Sequence, residues 1–200
     1  MGEVRGSGES SVSRAESVLD FWFGPEPGSK ADAFRARWFV PTPEFDGLCE
    51  ANFLTTYEDA VNGRLEEWRK EPRSCLALVL LFDQFPRNMF RGTARAFATD
   101  MKALELSRAA IASGFDLELS PMMRMFLYLP FEHSENLDDQ LESVRLTREL
   151  VMEKPDHAEI LKQAEQHLEV IRRFGRFPTR NRTLGRKSTQ EEMDFLKEQT

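Results

Sequence analysis

Two stretches of this chain share one run of residue types, and both are dense in arginine. The first is Phe85-Pro86-Arg87-Asn88, with Asp83 before it and Arg91 after it. The second is Phe177-Pro178-Thr179-Arg180-Asn181, preceded by Arg173 and Arg176. A guanidinium presents planar, paired N–H donors that match the oxygens of a carboxylate or phosphate, so several together point to recognition of an oxyanion. The protein as a whole is acidic, with a formal charge of -7. A cationic cluster is therefore not a by-product of bulk composition. It is either a site for an anion or a set of internal ion pairs, for which Asp83, Asp100, Glu132 and Glu135 are on hand. Residue types alone leave both readings open. Asn88 and Asn181 more often cap or turn a chain than contact a ligand.

A third segment, His133-Ser134-Glu135, carries titratable groups. Histidine changes charge near neutral pH and glutamate can act as base or orienter, so the pair forms a candidate acid–base unit. Neighbouring side chains in a loop diverge, which argues against a preassembled Ser-His-acid triad. Ser134 or Asn136 can instead cap the helix that begins at Leu137. Of the other histidines, His157 falls in the first turn of a helix, an exposed position, and His167 lies within a helix, where packing is the commoner role. Asp83, His133 and Glu135 are thus the candidate catalytic groups. Arg87, Asn88, Arg91, Arg173, Arg176, Arg180 and Asn181 are the candidate ligand-binding groups. A metal held by His133, Glu135 and His167 is conceivable, but His-x3-His and Cys-x2-Cys spacings are absent, and no metal or cofactor is expected.

The elements that must position these groups read as helices. Proline lacks an N–H and clashes with the preceding turn. Pro86 and Pro178 therefore predict helix ends, with each Arg-Asn pair just beyond, where side chains converge on a pocket. Helical spacing of apolar residues predicts helices over 13–23, 31–39, 44–61, 72–85, 96–112, 137–152 and 156–173, with a brief turn at 63–70. Phe45, Leu48, Phe53 and Tyr57 mark the inner face of the third. The helix over 72–85 is apolar almost all round, which places it at the centre of the fold. Ser120-Pro121 opens another helix, ended by Pro130. Ser188-Thr189-Gln190-Glu191-Glu192 offers capping-box spacing in two frames before a last helix to about residue 197. No period-two stretch of any length occurs, so the fold class is all-α. Short connections predict antiparallel helical hairpins, stacked without a fixed repeat.

Composition sets the outer limits. Residues 1–12 are polar and rich in Gly and Ser, and are expected to be disordered. Residues 13–200 are enough for a single helical domain with its own core. The chain is 40% hydrophobic and 30% charged, with 16 phenylalanines. An acidic balance argues against a general nucleic-acid binder, which needs a broad positive surface. Cys49 and Cys75 are the only cysteines, and both fall in apolar helical surroundings that suit reduced, packed thiols. The longest apolar run, 75–82, is far short of the roughly 20 residues of a membrane helix. With no apolar leader segment, the expected location is the cytoplasm.

Several motifs together resemble a known family: Val18-Leu19-Asp20-Phe21-Trp22-Phe23-Gly24; Leu80-Leu81-Phe82-Asp83-Gln84-Phe85-Pro86-Arg87-Asn88 with Arg91-Gly92; Ala96-Phe97-Ala98-Thr99-Asp100; Tyr128-Leu129-Pro130-Phe131-Glu132-His133-Ser134-Glu135; and Arg173-Phe174-Gly175-Arg176-Phe177-Pro178 with Arg180-Asn181 and Leu184-Gly185-Arg186. The chain resembles the uncharacterised domain of unknown function number nine hundred and twenty-four, over nearly all of its length beyond residue 14. The resemblance implies an all-helical fold similar to tetratricopeptide-repeat proteins, and no established activity. Two positions depart from the family's form: Thr179 where a His often precedes the Arg-Asn pair, and Glu132 where a Met often precedes His-Ser-Glu. The first departure shifts weight for any proton transfer toward His133.

Two functions follow as expectations. One is a pocket at helix ends that binds a small phosphate- or carboxylate-bearing molecule, with hydrolysis or transfer at that group, His133 as acid or base and arginine as charge stabiliser. The other is an interaction module that clamps an acidic peptide or a C-terminal carboxylate. Neither needs a membrane or nucleic acid, and nothing in the sequence sets an oligomeric state.

Overall fold

The computed structural model describes residues 11–24, 35–155 and 158–198. The expectations for most of residues 1–12, for the start of the 31–39 helix and for His157 fall outside them. The described residues form eight α-helices joined by short 3-10 turns, with no β-strand among them. The all-α class is therefore correct.

Helix α1 (Ser11–Phe23) turns Ala15, Val18, Leu19 and Trp22 inward. Helix α2 (Pro43–Val61) starts with proline at its first position, where the missing N–H costs nothing. The Thr42 side chain caps it by accepting from the Phe45 N–H at 3.2 Å. Its inner face is Phe45, Cys49, Phe53 and Tyr57; Leu48 points to solvent, and Cys49 holds the place expected for it. Helix α3 (Pro72–Met89) is buried continuously from Cys75 to Pro86 and packs against α1, α2, α4 (Asp100–Ala112) and α5 (Pro121–Glu132). Helices α6 (Leu137–Glu153) and α7 (Ala158–Phe174) lie against each other, with α6 also on α5, and α8 (Gln190–Glu198) follows. Consecutive helices thus pack on one another along most of the chain.

The centre is aromatic. Trp22 meets Phe85 at 5.2 Å and Phe126 edge-on at 5.6 Å between ring centroids, separations at which ring quadrupoles attract. Cys49 and Cys75 are buried free thiols. Burial pushes the first up to about 12 and the second up to about 11, so both pack as small apolar groups. No described helix is long and apolar enough to cross a membrane.

Two predicted helix ends are wrong. Pro86 and Pro130 lie inside α3 and α5 instead of ending them. A proline within a helix frees the carbonyl four residues back. Here the Phe82 carbonyl is taken up by Thr99, whose hydroxyl donates to it at 2.6 Å from the turn before α4. Arg87 and Asn88 are consequently in the last turn of α3, and His133 directly follows α5. Pro178 does stand beyond its helix. Gly175, in the left-handed region at φ 67°, closes α7 and donates its N–H to the Ile171 carbonyl at 2.8 Å. Within 35–39, the described part of the predicted 31–39 helix, there is a 3-10 turn Ala36–Trp38; the turn of helix over 63–70 is the 3-10 turn Glu66–Lys70, and the 96–112 helix is preceded by the 3-10 turn Ala94–Phe97.

Candidate functional site

The last turn of α3 and the end of α5 meet around one fully buried carboxylate. Asp83 is 0% exposed. Its Oδ1 lies 2.7 Å from His133 Nδ1 and 3.4 Å from an Arg87 nitrogen, and its Oδ2 accepts from Gln84 Nε2 at 2.6 Å. Burial alone would raise the pKa of this acid. Arg87 and His133 outweigh burial, so its carboxyl is held well below the usual carboxylate range. Burial and the Arg87 charge lower the pKa of His133, against the opposing pull of Asp83 and Asp100. The imidazole is therefore neutral at neutral pH. With Nδ1 turned to Asp83, Nε2 is the nitrogen left to accept a proton.

The backbone around His133 is tied from two sides. Gln140, fully buried on α6, donates through Nε2 to the carbonyls of Glu132 at 2.6 Å and Ser134 at 2.7 Å. Arg180 donates to the His133 carbonyl at 2.9 Å. Asn136 caps α6 by accepting from the Asp138 and Asp139 N–H groups. Ser134 turns away, donating to Asp139 Oδ2 at 2.7 Å.

A cavity of about 190 Å³ opens beside this group. Arg87, Asn88, Arg91 and His133 line it, together with Gln84 from α3, Leu129 and Glu132 from α5, Gln163 from α7, and Arg37, Trp38, Phe39 and Pro41 from the segment before α2. Every arginine here has protein partners. Arg87 grips Asp100 with two bonds, at 2.8 and 3.0 Å, and donates to the Asp83 carbonyl. Arg91 holds Asp46 through Nε and Nη2 at 2.6 and 2.8 Å, and Nη2 also donates to the Asn88 side-chain oxygen Oδ1 at 3.1 Å. Its Nη1 makes no hydrogen bond among the described residues, and the side chain is 45% exposed. Arg37 donates to the Phe21 and Trp22 carbonyls, both at 3.2 Å.

The second arginine-rich segment goes elsewhere. Arg176 pairs with Glu192 at 2.6 and 2.9 Å, and Asn181 donates to Glu192 and Ser188 at 3.2 and 3.0 Å. Glu192 also closes a capping box with Thr189, its Oε2 accepting from the Thr189 N–H at 2.7 Å. The Arg176 bond, followed by the other donors, holds this carboxyl down to about 2. Arg173 pairs with Glu191 on the surface at 2.8 Å. Glu135 accepts from Arg186 at 2.6 and 2.9 Å and from the Phe177 N–H at 2.8 Å, and so faces the C-terminal segment while His133 faces Asp83. Burial would raise the Glu135 pKa, but the Arg186 and Phe177 bonds bring it below the ordinary value. Arg180 joins the two groups. It lies between the rings of Phe97 and Phe177, with Asp100 at 3.5 Å, so Arg87 and Arg180 share one carboxylate. Burial and the neighbouring Arg87 lower its pKa.

Of the ten candidate residues, four line the cavity, Asp83 backs His133, Arg180 braces it, and the other four tie down the C-terminal segment. Sequence reasoning passed over Arg37, Gln84, Glu132 and Gln163 as site residues. Gln84 sits inside the quoted motif and Glu132 was visible as a departure from the family's form, whereas Arg37 and Gln163 carry no local signal. Glu132 is 5% exposed, and its Oε1 lies 2.7 Å from His167 Nδ1, although neither atom makes a hydrogen bond among the described residues. Among the described residues, no three His, Cys, Asp or Glu side chains are grouped as metal ligands.

A solved protein of unknown function from Agrobacterium tumefaciens is similar to this chain. It is 36% identical and superimposes with a TM-score of 0.83 over 94% of this chain and 99% of its own. Comparison with curated proteins gives no match. The family model described as bacterial protein of unknown function (DUF924) matches residues 18–200, and the chain belongs to that family.

Proposed function

We propose that the cavity binds a small molecule carrying a phosphate or carboxylate, and that His133 is the acid–base group for hydrolysis at that function. The observation that carries this reading is the Asp83–His133 contact of 2.7 Å at the wall of a cavity that Arg91 also lines, its Nη1 making no hydrogen bond among the described residues. A buried aspartate on one imidazole nitrogen fixes the tautomer and orients the other nitrogen for proton transfer. In an ester hydrolysis, Nε2 takes the proton of the attacking water and returns it to the departing alkoxide. Arg91 offers N–H donors to the oxygen on which charge develops. The fixed backbone of residues 132–134 removes the reorganisation such a transfer would otherwise need. The size of the cavity favours a small molecule over a peptide.

A panel of phosphate and carboxylate esters tests the proposal. His133→Gln should abolish any activity found while leaving the fold intact. The pH profile carries a signed expectation. The working form of His133 is neutral, and its pKa lies below the ordinary 6.5. The rate should therefore fall as pH drops, with its midpoint below 6.5. Full activity in His133→Gln would remove the residue from the mechanism. The alternative occupant, an acidic peptide or C-terminal carboxylate, has its own observation in the open trough of about 470 Å³ where Arg173 lies against Phe174 and Phe195. A peptide binder would leave every ester untouched.

A further inference from the structure

We infer that the cavity selects ligands bearing a primary ammonium as well as an anionic group, with Glu132 as the specificity-determining residue. This rests on the anion-site reading above and narrows its substrate class to small zwitterions, such as amino-alkyl phosphates or amino acids. The cavity has two unlike walls. The α3 wall carries Arg87 and Arg91, and the α5 and α7 wall carries Glu132 and Gln163. A site built only for an anion would not place a carboxylate on its lining, because like charges repel and the repulsion is strongest away from bulk water. A ligand with an ammonium at its other end converts that repulsion into a charge-assisted hydrogen bond.

Glu132 has the capacity for such a bond. Neither of its oxygens accepts a hydrogen bond among the described residues, although the side chain is 5% exposed. His167 Nδ1 lies 2.7 Å from Oε1 and borders the trough beside α7, whereas Glu132 lines the cavity. Buried polar groups in native proteins are almost always hydrogen-bonded, so a carboxylate at a cavity wall with a histidine beside it and no hydrogen bond among the described residues has capacity for a further donor. Gln84, Asn88 and Gln163 add amides that can serve the remaining ammonium protons. At about 190 Å³ the cavity is smaller than pockets for drug-sized molecules. That limits the ligand to a few carbons between its two charged ends.

The test compares matched probes by calorimetry: phosphoethanolamine against ethyl phosphate, and β-alanine against propionate, with inorganic phosphate as reference. In the wild type, the ammonium-bearing member of at least one pair should bind about tenfold more tightly, as expected of one charge-assisted hydrogen bond. Glu132→Gln should close that gap. Phosphocholine carries the same charge without N–H donors and tests the wild type directly, should the variant not fold; it should lose most of the gain. A wild-type gap of less than about threefold in both pairs, a gap that survives Glu132→Gln, or phosphocholine binding as tightly as phosphoethanolamine overturns the inference, whatever inorganic phosphate does. If inorganic phosphate and all four paired probes fail to bind, the anion-site reading itself falls.

Discussion

The two Phe-Pro segments use the same residue types and do opposite jobs. At the end of α3, Arg87, Asn88 and Arg91 sit on the wall of a cavity and in contact with a titratable pair. After α7, Arg176 and Asn181 converge on one nearly buried glutamate and fasten α8 to the chain before it. What separates them is where each proline falls. Pro86 is inside its helix, so the residues after it stay on a rigid scaffold against the core. Pro178 is beyond its helix, so the residues after it wrap and need ion pairs to be held. Recurrent arginine therefore lines a cavity in one place and gathers on a buried glutamate in the other, and the deciding factor is the backbone that carries it.

The largest expected effect lies in the first region. Asp83→Ala removes a fully buried carboxylate and leaves His133 and Gln84 facing a void beside Arg87. Breaking a buried charge network of this kind costs about 3–5 kcal/mol. Urea unfolding should register it, and a loss under about 1 kcal/mol would mean that the two regions are alike in being loosely tied. Glu192→Ala comes next. It removes the capping box and the anchor for Arg176 and Asn181, for a loss of about 1–2 kcal/mol. Hydrogen exchange should accelerate in residues 176–198 while α3 and α5 keep their protection; acceleration spreading into α3 would merge the two regions into one unit. Arg91→Ala should be the mildest. The pair with Asp46 is half-exposed and contributes less than about 1 kcal/mol. Sulfate or phosphate should raise the melting temperature of the wild type and not of this variant. An unchanged anion effect in Arg91→Ala would turn Arg91 into one more strut.

Much of the scaffold was legible because its signals are local. The apolar run 75–82 placed α3 at the centre, Ser120-Pro121 opened α5, and Thr189 with Glu192 capped α8 in one of the two frames that spacing allowed. Of the candidate site, Arg87, Asn88, Arg91 and His133 stand out by motif, and all four line the cavity. What spacing could not show is which charge each arginine meets. Arg87 and Arg180 share Asp100, and Glu135 answers to Arg186 instead of to His133. Such pairings depend on tertiary approach across tens of residues. Arg37 and Gln163 were beyond reach for the same reason, being single polar residues brought to the cavity by other elements. The Pro86 error is of another kind, since the rule that proline ends helices holds only when nothing else takes the freed carbonyl.

That carbonyl has a consequence for how the cavity wall comes into being. The Thr99 hydroxyl that satisfies Phe82 is 17 residues away along the chain, whereas the Arg180 contact to Asp100 spans 80. Closing a loop costs entropy that grows with its length, so the shorter closure is the less costly of the two. The turn bearing Arg87 and Asn88 can be completed as soon as the start of α4 docks, with no help from the last quarter of the chain. A proline that on local rules should have broken α3 thus makes the end of that helix answerable to its next neighbour, through the shorter and less costly of the two closures.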